Sequence, residues 1–165
     1  MLTLAFVRHS IAENTEHTHD DFNRKLTEEG IERIRLVLPK IQKSFLQNAF
    51  FLHSPAIRCV QTVNYFASYF QIANEQIKEH DFLFSCFREN GFFYFLEEEA
   101  ANKSNVWIFG HNPMLSNLCD AILGKKFYSL PPCSVVVFKS FAQNWVDIQP
   151  ENTKLELFIN PHQFD

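Results

Sequence analysis

Glycine is scarce, with four in 165 residues, so flexible joints have little room and no Gly/Ser linker divides the chain. The four cysteines, Cys59, Cys86, Cys119 and Cys133, form no Cys-x-x-Cys pair, which removes zinc-ribbon and thioredoxin-like schemes. Nothing approaches ~18 consecutive apolar residues, so a membrane span is not expected. The apolar opening Met1–Val7 lacks a basic leader and meets Arg8 at once, unlike a secretory signal. Basic residues are not in excess: 15 Lys+Arg against 19 Asp+Glu give a formal charge of −4, which supplies no basic face for nucleic acid. These absences point to a cytoplasmic protein with reduced, mostly buried thiols. Phenylalanine, by contrast, is abundant at 19 residues. An apolar content of 46% with 21% charged residues fits one domain over residues 1–165 with a substantial core.

Apolar patterning gives the order of elements. Leu2–Val7 is apolar on both faces, as a buried central strand is. Thr27 reads as an N-cap, with Glu28 and Glu29 complementing the helix dipole. Ile31, Ile34, Leu38, Ile41 and Phe45 then recur at steps of 3 and 4, with Pro39 expected to kink or split that helix. Ala49–Leu52 is a second strand ending at His53, after which Ser54 and Pro55 read as N-cap and first-turn residues. Val60, Val63, Ala67 and Phe70 mark the apolar stripe of the helix that follows. A further helix is expected near Glu89–Glu99. Val106–Phe109 is a third strand, Asn112-Pro113 repeats the cap-then-proline device, and Met114, Leu118, Ala121 and Ile122 form the next helical face. The tail reads as an antiparallel hairpin, with strands Ser134–Phe141 and Asn144–Gln149 around a turn at Ala142-Gln143.

Alternating strands and helices specify an α/β fold, a three-layer sandwich with a mainly parallel central sheet and helices on both faces. Ligands in such sheets bind beyond the carboxyl ends of the strands. Arg8-His9, His53-Ser54-Pro55 with Arg58, and Gly110-His111-Asn112-Pro113 all fall there. Histidines and arginines at one sheet edge suit phosphate, because guanidinium is a permanently charged planar fork matched to phosphate oxygens. A neutral imidazole can attack phosphorus and form an N–P bond that water then breaks. Arg8 would hold the attacking ring and neutralise charge, and His111 would donate to the transferring oxygens. The guanidinium groups take the role that Mg²⁺ has elsewhere, so no metal or other cofactor is expected.

In chain order, Val7-Arg8-His9-Ser10 resembles the R-H-G signature of the histidine phosphatase (phosphoglycerate mutase-like) superfamily. Arg24–Gly30 resembles its R-P-L-T-x-x-G segment, Ser54–Thr62 its S-P-x-x-R-A-x-Q-T, and Gly110–Pro113 its G-H-N-P. The blocks run from residue 7 to about residue 118, and the short chain with Met114–Leu118 after the last block is most similar to the SixA-type phosphohistidine phosphatases. The resemblance implies His9 as the phospho-accepting nucleophile, with Arg8, Arg58 and His111 forming the phosphate pocket around it. It also implies a histidine-phosphorylated protein as substrate, a signalling relay domain or a carrier, with inorganic phosphate as product. Ser10 stands where the superfamily has glycine, and Lys25 where it has proline.

No stretch matches the acid-bearing insertion of the larger members. A leaving imidazole, with a free pKa of ~6.5, has far less need of a proton donor than an alkoxide. Glu79, Asp81 and Glu89 are the carboxylates that could still supply one. The alternatives are a phosphatase or mutase for a small phosphate ester, or a phosphate-binding module without catalysis. His53, covered by no motif, reads as support or packing, and His17-x-His19 with Asp20 and Asp21 as solvated loop rather than metal ligands. Glu97–Glu99 reads as an exposed face. Of the phenylalanines Phe82, Phe84, Phe87, Phe92, Phe93 and Phe95, most are expected in the core, with some available to wall the pocket or to form a docking patch.

Overall fold

The computed structural model describes residues 1–16, 20–85 and 91–164. Strand β1 (Leu2–Arg8) leads to α1 (Glu28–Val37), β2 (Phe50–His53), α2 (Ile57–Phe70) and the short β3 (Ile77–Glu79). Then come α3 (Phe82–Ser85), α4 (Phe92–Ala100), β4 (Asn105–Gly110), α5 (Met114–Leu123), β5 (Val135–Ser140) and β6 (Thr153–Ile159). One sheet has the order β3-β2-β4-β1-β5-β6. The β3–β2, β2–β4 and β4–β1 pairs are parallel, whereas β1–β5 and β5–β6 are antiparallel. The mixed α/β architecture is therefore the one the apolar pattern specifies.

Side chains alternate across the sheet, and each face has its own core. Leu4, Phe6, Leu52, Ile108 and Phe138 pack on one side under α4 and α5. Ala5, Val7, Phe51, Trp107 and Phe109 pack on the other under α1 and α2. Doubly covered strands explain why β1 and β4 are apolar at nearly every position.

Thr27 caps α1 as expected, its hydroxyl accepting from the Gly30 N–H at 3.0 Å. Pro39 splits the long apolar repeat: α1 ends at Val37, and single 3₁₀ turns follow at Leu38–Lys40 and Lys43–Leu46. Two expected caps are not made. Helix α2 starts at Ile57 behind Ala56, and α5 at Met114 behind Pro113, neither with a side-chain cap. The Ser54 hydroxyl is engaged by His111 at 2.7 Å, and the Asn112 amide donates to the Leu130 carbonyl at 3.0 Å.

The tail hairpin exists, but its second strand lies further along the chain than expected. Residues 144–149 hold a 3₁₀ turn at Trp145–Asp147 and no strand, and β6 pairs with β5 instead. Trp145 sets this arrangement: its indole is buried and donates to the Ala100 carbonyl at 2.9 Å, which draws the segment off the sheet edge toward α4. Ala121 is exposed and not part of the α5 stripe. Glu97 and Glu99 are not free either. The Glu97 carboxylate accepts from the Trp145 N–H at 2.8 Å, and that of Glu99 pairs with Lys78. Cys59, Cys119 and Cys133 are buried free thiols. His17, His19, Cys86, Phe87 and Glu89 lie outside the described residues.

Candidate active site

Strand register brings the motifs together. Arg8 pairs with Gly110 and His53 with Phe109, so the carboxyl ends of β1, β4 and β2 are level. The chain leaves all three in step: the His9 N–H donates to the Gly110 carbonyl at 3.1 Å, and the Ser54 N–H to the Phe109 carbonyl at 3.0 Å. Arg58 enters from the first turn of α2. A cleft of about 310 Å³ results, lined among others by Arg8, His9, Asp21, Arg24, Arg58 and His111. All four residues singled out in the sequence are thus together.

Arg58 organises the cleft. Its Nε–H donates to His9 Nε2 at 3.3 Å, and its NH2 group reaches His111 Nδ1 at 3.2 Å and Asp21 Oδ2 at 2.9 Å. NH1 donates to the Asp21 carbonyl. Because guanidinium only donates, these contacts fix both imidazole tautomers. His9 accepts at Nε2, so its proton is on Nδ1, which donates to the Ser10 carbonyl at 2.7 Å. His111 accepts at Nδ1, so its Nε2–H donates to the Ser54 hydroxyl at 2.7 Å. The two rings lie 5.1 Å apart, centroid to centroid.

Electrostatics keep both rings neutral. Burial, the neighbouring His111, Arg58 and Arg8 push His9 well below the ordinary histidine range, against the opposing Ser10 hydrogen bond. Burial and the guanidinium groups, Arg58 foremost, outweigh the attraction of Asp21 and hold His111 at about 3. Arg8 donates through NH1 to the Leu130 carbonyl, while its buried Nε–H has no acceptor among the described residues.

The less conspicuous motif residues fix these loops. The Ser10 hydroxyl donates to the Gly30 carbonyl at 2.7 Å, and the Ser10 N–H to Thr62 Oγ1 at 3.2 Å, so this serine faces α1 and α2. The Gln61 side chain accepts from the Leu26 N–H at 2.8 Å. Gly30 is required by close approach, since a Cβ there would stand 2.1 Å from the Ile11 carbonyl oxygen. His53 hydrogen-bonds the Ser54 carbonyl at 3.0 Å and is not among the residues lining the cleft.

Asp21 and Arg24 are the charged lining residues to which the sequence assigned no part in the site. Their carboxylate and guanidinium meet at 2.9 Å. They arrive because residues 11–13 pair back on 25–27, through Thr27 N–H to the Ile11 carbonyl at 3.0 Å and Glu13 N–H to the Lys25 carbonyl at 2.9 Å. The available signal was Arg24 itself, first residue of the second motif block. Phe84 stands edge-on to His111 at 5.8 Å and Phe22 to Phe84 at 5.3 Å, so among the described residues Phe84 is the member of the phenylalanine-rich stretch that reaches the site. Glu79 and Asp81 are exposed and do not line the cleft. Among the described residues no group of three or more His, Cys, Asp or Glu side chains could hold a metal ion. No helix among them is long and apolar enough to cross a membrane.

The fold that this sheet order builds is one shared with solved histidine phosphatases. The protein histidine phosphatase SixA complexed with tungstate matches with a TM-score of 0.80 at 16% identity, over 99% of this chain and 100% of that one. SixA from Agrobacterium tumefaciens matches at 0.75 and 20% identity, over 96% and 97% of the two chains. A phosphoserine phosphatase variant from Entamoeba histolytica, in complex with phosphoserine, matches at 0.66 and 12%, over the whole of both. The resemblance carried by the four motifs is thus borne out in the fold. No protein-family model matches the chain. In sequence, the chain is 30% identical over 126 residues, 73% of each chain, to an uncharacterized protein of Picosynechococcus sp., and belongs to the same family as that protein.

Proposed function

We propose that the chain is a phosphatase that hydrolyses phosphohistidine on a protein, through a phospho-His9 intermediate. One observation carries this reading: a neutral His9, its Nε2 lone pair held by the Arg58 Nε–H at 3.3 Å, lines a cleft with Arg8, Arg58 and His111, so that an incoming phosphoryl group takes the lone pair as Arg58 turns to its oxygens. His9 Nε2 attacks phosphorus, and the substrate's P–N bond breaks with its electron pair going to the departing imidazole. A departing ring already protonated on its other nitrogen leaves as neutral imidazole and needs no acid from the protein. Water then attacks the phosphorus on His9, releases inorganic phosphate and restores the ring. Arg8, with a buried N–H in want of an acceptor, and Arg58 hold the equatorial oxygens. A bound dianion also favours protonation of His111, turning its Nδ1 into a further donor.

The cleft's carboxylate supports the choice of substrate. Burial raises the Asp21 pKa, but Arg58 and Arg24 outweigh it and hold the group below the usual aspartate value, which makes it a poor proton donor. An alkyl ester needs such a donor, whereas phosphohistidine does not. The SixA structures share this fold, and the SixA bound to tungstate is a protein histidine phosphatase.

The test is phosphate release by wild type and His9→Ala in EDTA, from a histidine-phosphorylated carrier protein and from a panel of small phosphomonoesters. Carrier-selective release that His9→Ala abolishes is the expected result. The same fold serves a phosphoserine phosphatase, so preference for a small ester would establish that second reading. No release from either substrate would leave a binding module.

A further inference from the structure

The Asp21 carboxylate is paired with the arginine on which the site depends. Its carboxylate lies 2.9 Å from Arg58 NH2 and 2.9 Å from Arg24 Nε. The Arg58 side chain is only 4% exposed, yet that of Asp21 is half exposed, so the carboxylate reaches the cleft from its solvent side. A phosphoryl group approaching His9 Nε2 must share or take over donors that now point at Asp21. Two further contacts keep the segment closed: Arg58 NH1 donates to the Asp21 carbonyl, and the next residue, Phe22, packs edge-on against Phe84, itself edge-on to His111.

We infer that Asp21 is a specificity-determining residue, an internal anion that competes with phosphate for Arg58 and Arg24 and so discriminates against small free oxyanions. Two guanidinium groups left open beside Arg8 would retain inorganic phosphate, the product of the proposed reaction. With Asp21 in place, a ligand must displace an ion pair. A phosphoprotein brings contacts outside the cleft that contribute to the displacement, and a free phosphate brings none. The inference rests on the cleft being a phosphate site, and goes beyond it by assigning discrimination to one side chain.

Calorimetric titration with inorganic phosphate tests it without any turnover. Asp21→Asn keeps the side chain's size and leaves the backbone bond to Arg58, but removes the competing charge, and should tighten phosphate binding at least about fivefold. Asp21→Glu should stay near wild type. Phe22→Ala loosens the closed segment without changing charge and should tighten binding by a smaller factor. Unchanged or weaker binding by Asp21→Asn would overturn the inference, because a residue that merely positions Arg58 weakens the site when it is altered. If neither wild type nor Asp21→Asn binds phosphate, the phosphate site itself falls, and the discrimination with it.

Discussion

At His9 the ring is neutral through burial first and through His111, Arg58 and Arg8 after it, so acid should not switch the nucleophile off near neutrality. Any change in kcat/KM between about pH 6 and 7 should then follow protonation of the substrate's own ring, and an inflection near 6.5 in single-turnover phosphorylation that is assigned to His9 would contradict this. His111 gives a stability prediction. An unfolded histidine takes up its proton near pH 6.5, but folded His111 does so only at about 3. The unfolded chain therefore binds the extra proton in that interval. Stability is fully present above pH 6.5 and declines as pH falls toward 3. In urea titrations His111→Asn should flatten this acid slope, and an unchanged slope would place its origin elsewhere. Arg58→Lys should lower kcat/KM at least about a hundredfold, because one ammonium cannot reproduce contacts made to His9, Asp21 and His111 together.

Among the elements, α1 is anchored where the chain has least tolerance. Gly30→Ala would drive a Cβ into the Ile11 carbonyl and force α1 away from the segment that carries Ser10, so a destabilisation of roughly 2–4 kcal/mol in denaturant is expected. Ser10→Gly should cost only about 1 kcal/mol, the worth of its bond to the Gly30 carbonyl. Elements whose signals are local were legible in the sequence: β1 and β4 from two-sided apolarity, the α1 start from Thr27, the α1 end from Pro39. Elements decided by distant partners were not. Residues 144–149 carry a strand's alternation, but Trp145 finds a better environment against α4. Strand β6 is masked by Lys154 and Glu156 on its exposed face. Ser54 and Asn112 have cap chemistry, yet tertiary acceptors and donors claim their side chains.

For the molecule as a whole, the site is a property of the sheet order. Strands β2, β4 and β1 are neighbours, and each delivers one motif to the same edge. That much was legible, because strand ends and motif positions coincide in the sequence. Asp21 was not: it enters through the antiparallel return of residues 25–27 onto 11–13, a contact that no periodicity announces. Ligand and fold are accordingly linked. Inorganic phosphate at ~100 times its Kd should stabilise wild type by about 2.7 kcal/mol, read as a rise in Tm. Arg58→Ala should show no rise, and an equal rise there would place phosphate elsewhere.

Cys59 lies on α2 directly behind the site, its sulfur 3.5 Å from His111 Nε2. Burial raises the thiol to about 12, so it is protonated and shielded in the native state. Cys119 and Cys133 are buried and raised to about 12 as well. These three thiols should accordingly resist, in the native state, the alkylating agents that disable cysteine-dependent phosphatases. In a Cys86→Ser background, slow labelling of these thiols would act as a clock for transient opening of the layers that carry them. Labelling at Cys59, slowed by bound phosphate, would time the opening of the cleft wall itself.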